Sequence, residues 1–117
     1  MATLLEKISN LNDLILEGKS LEAFEKYYHQ DVIMQENEHT PTIGKPANRE
    51  REKEFMASII EFRNAKPLKV TIGENISMVE WLFDYTHKNL GNRNYTQVAV
   101  QEWKDGQIIK EKYYYNN

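Results

Sequence analysis

Apolar residues return at three- and four-residue steps from Leu4 and Leu5 through Ile8 and Leu11 to Leu14 and Ile15, the spacing of one buried helix face. Gly18 follows and suits a left-handed helix end. Ser20 can then cap a second helix over Leu21 to Tyr28, giving a hairpin of helices. Asp31 to Glu36 reads as a short strand, and 38–45, with Pro41 and Gly44, as a loop. Pro46 stands where the first turn of a third helix tolerates it. That helix is predicted to run to about Phe62, with Phe55, Met56, Ile59, Ile60 and Phe62 as its apolar positions. Its charged stretch from Arg49 to Glu54 reads as a solvated face with intrahelical pairs.

Beyond Pro67 the period changes to two. Leu68, Val70 and Ile72 alternate with Lys69 and Thr71, as in a half-buried strand. Ser77 to Lys88 is a longer strand, with Val79, Trp81, Phe83, Tyr85 and His87 on one face and Met78, Glu80, Leu82 and Asp84 on the other. Leu90 to Asn94 reads as a turn and Tyr95 to Lys104 as a strand. Asp105-Gly106 is the strongest hairpin signal, because both central residues of a primed turn take positive φ. Gln107 to Tyr115 is the last strand. Helices first and long consecutive strands last indicate the α+β class with a mostly antiparallel sheet. Large apolar groups on both faces of Ser77–Lys88 ask for helices on one side and a cover, simplest a second copy of the chain, on the other.

Composition narrows the function classes. The 117 residues fit a single domain over 1–117, large enough for a core of its own. A net charge of −3 argues against a general nucleic-acid binder and gives no reason for an anionic membrane as partner. With no cysteine, disulfides, zinc-thiolate sites and thiol nucleophiles are excluded. Residues 1–10 lack the basic and apolar regions of a secretory signal, and no apolar run approaches the roughly 20 residues of a membrane span. The expectation is a cytoplasmic protein that needs no cofactor.

Two helices, then YYHQDVIMQEN, a loop ending in TIGKPANRE, a third helix, and a meander containing VQEWKDGQIIKEKYYYN resemble the nuclear transport factor 2-like superfamily. The similarity is to its SnoaL-like polyketide cyclases and ketosteroid isomerase, and it covers nearly the whole chain. It implies a cone-shaped, cystatin-like fold: a curved sheet wrapped around three helices from the N-terminal half, a cavity between sheet and helices, and often a homodimer across the outer sheet face. In the isomerase a carboxylate late in the first strand is the general base, and Glu36 takes that place. The oxyanion side departs from the pattern. The family's protonated aspartate falls near Ala99, and its helix-one tyrosine falls within 11–15, where there is none.

Residue chemistry adds candidates. Alternation puts Glu36 on the face of Val32 and Met34, where an apolar cavity would raise its pKa; a position in solvent at the rim is the alternative. His87 ends an aromatic row and is a pocket acid or a surface residue beside a turn. Met34, Phe55, Ile59, Phe62, Trp81, Phe83, Tyr85, His87, Gln101, Trp103 and Tyr113 are the expected pocket lining, suited to a flat, mostly apolar ligand. Gln97 and Gln101 share a face with Ala99 and Trp103 and are candidates for orienting it. Glu36, Glu38 and His39, with His29 and Asp31 upstream, offer metal-ligand types without a recognisable spacing, so no metal is expected. Two functions follow. One is binding or transforming a small hydrophobic molecule by cofactor-free, isomerase- or cyclase-type proton transfer. The other is a non-catalytic dimeric ligand-binding or interaction module.

Overall fold

A computed structural model describes residues 2–116. Three helices, α1 (Leu4–Leu16), α2 (Ser20–Tyr27) and α3 (Lys45–Ser58), lie against a six-stranded sheet. The strands are β1 (Tyr28–Glu36), β2 (Thr42–Ile43), β3 (Ile59–Gly73), β4 (Ile76–His87), β5 (Gly91–Lys104) and β6 (Gln107–Tyr114), in the order β2-β1-β6-β5-β4-β3. The long strands β3 to β6 pair antiparallel through consecutive hairpins, whereas β1 joins β6 in parallel. The result is the expected α+β cone, with an unclosed curved sheet.

Local chemistry explains the joints. Thr3 caps α1 in a reciprocal box with Glu6, satisfying two end amides. Gly18, at φ 78°, ends the first helix left-handed as the sequence requires. Ser20 is the first residue of α2 rather than its cap, which is Lys19. Asp105 and Gly106 take φ 53° and 80°, the primed turn between β5 and β6.

Several boundaries differ from expectation. α3 stops at Ser58, and Ile59 to Phe62 belong to β3. Ile59 and Ile60 are β-branched, and partners on β4, His87 for Ile59 and Tyr85 for Phe62, satisfy a strand there. Pro67 sits inside β3 rather than closing a connection. The strand forms one edge of the sheet and is bulged between Pro67 and Lys69, the setting in which a missing N–H is tolerated. Gly91 opens β5 at φ 75°, so the turn is 88–90 and not 90–94.

The helices cover the odd-numbered face of β4. Ile8 and Leu11 of α1 and Ala23, Phe24 and Tyr27 of α2 form one core with Val32, Met34, Ala65, Val79, Trp81, Trp103 and Ile108. The first turn of α3 is fastened by polar groups. Lys45 is buried, and its Nζ donates to the carbonyls of Glu25 and Tyr28 at 2.9 and 2.8 Å, satisfying the C-terminal end of α2. Asn48 Nδ2 donates to the carbonyls of Thr42 and Gly44 at 3.0 and 2.9 Å. These bonds fix which face of α3 looks into the cone.

Candidate functional site

The floor of the cone is a directed hydrogen-bond chain. Trp103 Nε1 donates to Ser77 Oγ at 2.8 Å, Ser77 Oγ donates to Gln101 Oε1 at 2.6 Å, and Gln101 Nε2 donates to Glu111 Oε2 at 2.7 Å. Tyr28 donates to Glu111 Oε1 at 2.5 Å, and Tyr113 donates to the same oxygen. Strand register makes this possible: Ser77 pairs with Gln101, and Gln101 with Glu111, so three neighbouring strands present their polar groups in one row. Ser77, Gln101 and Glu111 are all but inaccessible to solvent. Burial pushes the Glu111 carboxyl up, opposed by its three donors. Burial and the adjacent Glu111 hold Tyr28 and Tyr113 well above the usual phenol range, so both remain donors.

Above the floor stands Glu52 of α3. Lys45, Asn48, Glu52 and Phe55 recur at three- and four-residue steps, so the bonds that fasten Lys45 and Asn48 also turn Glu52 inward. Glu52 is half-buried, and no side chain among the described residues donates a hydrogen bond to it. Desolvation, then the charges of Glu111 and Glu36, push its pKa up to about 7.

The mouth is aromatic and charged. Tyr85 and Tyr95 hydroxyls meet at 2.9 Å, and the Tyr95 and Tyr115 rings lie 5.5 Å apart. Tyr115 donates to Glu36 Oε1 at 3.2 Å, and Arg51 Nη2 donates to Glu36 Oε2 at 3.1 Å. Burial and the Glu36 charge push the Tyr115 hydroxyl up to about 12. Arg93 lies over the Tyr95 ring, 4.8 Å from its centre. A cleft of about 440 Å³ opens here. Arg93, Tyr95, Gln97, Tyr115 and Asn116 are among its walls.

The expected site residues divide into four groups. Gln101, Trp103 and Tyr113 belong to the floor network, with their polar atoms already bonded to protein. Met34, Trp81, Phe83 and Tyr85 pack in or against the core, with Trp81 and Phe83 stacked at 5.3 Å. Phe55 and Phe62 flank Tyr85 at the mouth and are 40 % and 55 % exposed, so neither lies in an enclosed pocket. Ile59 pairs with His87, whose Nδ1 accepts the amides of Asn89 and Leu90 and so stabilises the β4–β5 turn. None of these lines the cleft. The expected lining is the wall behind it, because side chains that large fill the cone themselves.

Glu36 lies on the predicted face but at the rim, with its side chain 39 % exposed beside Arg51 rather than in a dry pocket. The metal candidates are spread apart. Glu38 pairs with Lys112 at 2.8 Å, and His29 Nδ1 accepts the Asp31 amide at 3.0 Å. Among the described residues no three His, Asp or Glu side chains converge as metal ligands would.

Several residues of the site are not singled out by the sequence, among them Glu52, Glu111 and Arg93. Glu52 lay within the stretch read as solvated. Its signal is phase, since it stands three residues before Phe55 and seven before Ile59. Glu111 is masked by a bulge between Glu102 and Trp103, which shifts the face it occupies. Arg93 lay within a predicted turn.

The sequence profile of the SnoaL-like domain matches residues 3–115. No curated protein matches the chain in sequence. Among solved structures, a protein from Mesorhizobium loti named for its likeness to SnoaL polyketide cyclases superposes with a TM-score of 0.88 at 23% identity, over 97% of this chain and 100% of that one. A protein of the nuclear transport factor 2-like type from Burkholderia pseudomallei gives 0.83 at 12% identity, over 99% and 92%. A protein of ketosteroid isomerase-like fold from Catenulispora acidiphila, solved with trimethylamine, gives 0.78 at 13% identity, over 97% and 88%. At these identities the likeness is one of fold.

Proposed function

Because the chain belongs to the SnoaL-like domain family, we propose that its cone takes up a small, mostly apolar molecule at the mouth and moves a proton on it without a cofactor. The observation that carries this reading is Glu52. It is a carboxyl turned inward between Glu36 and Glu111, with no donor to hold it charged and a pKa of about 7. Such a group is half ionised at neutral pH, the condition under which a carboxylate is both available and basic enough to take a proton next to a carbonyl. Glu36, at the base position that the isomerase resemblance implies, is held by Arg51 and Tyr115 and serves better to orient the ligand. The raised phenols of Tyr95 and Tyr115 are neutral donors for the developing oxyanion.

Deuterium exchange next to the carbonyl of 1-tetralone, followed by proton NMR, tests the reading. The protein should accelerate exchange above buffer, with a rise through pH 7 that Glu52→Gln abolishes. Accelerated exchange at the wild-type rate in that variant would transfer the role to Glu36, and no acceleration by wild type would leave a binding protein.

The non-catalytic dimeric module has its own observation. On the outer sheet face Met78 pairs with Val100 and Val98 with Tyr114, and Met78 and Tyr114 are 39 % and 46 % exposed. A second copy on this face would bury them. Light scattering should then return about twice the 13.9 kDa chain mass, and a monomer at micromolar concentration would exclude that assembly.

A further inference from the structure

The chain has four arginines, and three have carboxylate partners. Arg49 meets Glu25 at 2.5 Å, Arg51 meets Glu36 at 3.1 Å, and Arg63 meets both Asp84 and Glu61, at 2.9 and 3.1 Å. Arg93 has no acidic partner among the described residues. Its Nε is shut off from solvent and accepted by nothing, an uncommon state for a guanidinium, whose five N–H groups are costly to leave unpaired. Neither its place nor its packing is accidental. Arg93 sits across from Tyr85 on β4, its guanidinium lies on the Tyr95 ring, and it forms part of the wall of the 440 Å³ cleft. The other polar side chains of that wall, Asn94, Thr96, Gln97, Tyr114, Tyr115 and Asn116, carry no charge. Glu36, which Tyr115 links to the cleft, is already neutralised by Arg51.

A cation stacked on an aromatic ring, facing a cleft walled by neutral polar groups, is arranged for an anion with a flat apolar body. A guanidinium held over a ring keeps a fork of parallel N–H groups that matches a planar acceptor. We propose that Arg93 binds the carboxylate of the ligand, so that the molecule taken up at the mouth is a small aryl or unsaturated carboxylic acid. Its apolar body would lie along Tyr95 and Tyr115 toward Tyr85 and Phe55, whose rings are 5.6 Å apart. Glu52 lies outside the wall of the cleft, so the remote end would have to pass the Tyr85 ring to reach it. The inference deepens the proton-transfer reading and rests on it for the direction of the ligand, but not for the anion contact itself.

Isothermal titration at pH 7 with 2-naphthoate and its uncharged amide, 2-naphthamide, tests the contact. Wild-type protein should bind the acid roughly tenfold or more tightly than the amide, the discrimination expected of a bidentate charge-assisted pair. Arg93→Gln should remove that preference, and Arg93→Lys should restore only part of it. Thermal melts of both variants check that the fold persists. Glu52→Gln should leave the preference intact, so loss of tetralone exchange and loss of anion preference separate the two readings. Equal binding of acid and amide, an unchanged preference in Arg93→Gln, or no binding of either probe at millimolar concentration would overturn the proposal.

Discussion

The floor and the mouth of the cone are both polar, and they are built on opposite terms. On the floor, Glu111 has three donors, Gln101 donates and accepts, and Ser77 does the same between Trp103 and Gln101. A network so complete has nothing left to offer a ligand, and it fixes one arrangement of three strands. Above the floor Glu52 has no side-chain donor among the described residues, and at the mouth the Arg93 Nε has no acceptor. A buried polar atom left unpaired, such as the Arg93 Nε, is unfavourable for the fold and calls for an explanation, which a ligand in the adjoining cleft would supply. Burial of a charged group therefore does not by itself mark a functional site. The state of its partners decides.

The largest expected effect is on the floor. Glu111→Ala leaves two phenols and an amide without their acceptor, and should cost about 3–5 kcal/mol in urea unfolding. A loss under 1 kcal/mol would mean that the network contributes little and that the contrast with the mouth is false.

At Glu52 the sign should reverse. The folded pKa of Glu52, about 7, lies above its ordinary 4.5, so the folded state holds the proton more tightly than the unfolded chain. Below pH 4.5 the group is neutral in both states and carries no penalty. As pH rises toward 7 the unfolded chain ionises first, stability falls, and above 7 the penalty is constant. Glu52→Gln should thus match wild type at pH 4 and exceed it at pH 8 by roughly 1–3 kcal/mol. Destabilisation at pH 8 would show a hidden partner and would place Glu52 with the floor.

The smallest effect belongs to the Arg51–Glu36 pair, whose side chains are 51 % and 39 % exposed. Arg51→Gln should change stability by less than about 1 kcal/mol, and by less still in high salt. Its sharper readout is the tetralone exchange profile, which should shift because Glu36 loses its counterion beside Glu52.

Periodicity made the frame legible before any coordinates. The apolar stripe of α1, the alternation along β4 and the Asp105-Gly106 turn each state a local rule that the fold obeys. The end of α3 was not legible, because Ile59 to Phe62 fit a helix stripe as well as a strand and β4 decides between them. The site was harder still. Alternation along β1 speaks only to the face of Glu36; its partner Arg51 lies on another element, and no spacing in the chain announces that pair. Glu52 was concealed by its company, since five of the six residues from Arg49 to Glu54 are on faces that meet solvent or ion pairs across elements. An unsatisfied group such as Arg93 is invisible to sequence by nature, for it is defined by partners that are missing.

β6 pairs with β5 only from Val98 onward, so among the described residues Gly91 to Gln97 have a strand on one side alone. An open stretch of backbone is a template on which another extended chain can grow, and a seven-residue one suffices to seed polymers. Here the stretch reads Gly-Asn-Arg-Asn-Tyr-Thr-Gln, whose glycine and fixed positive charge oppose in-register stacking of like chains. The same composition that leaves the cleft polar makes self-stacking along this edge unfavourable, so the chain keeps an accessible border without becoming sticky.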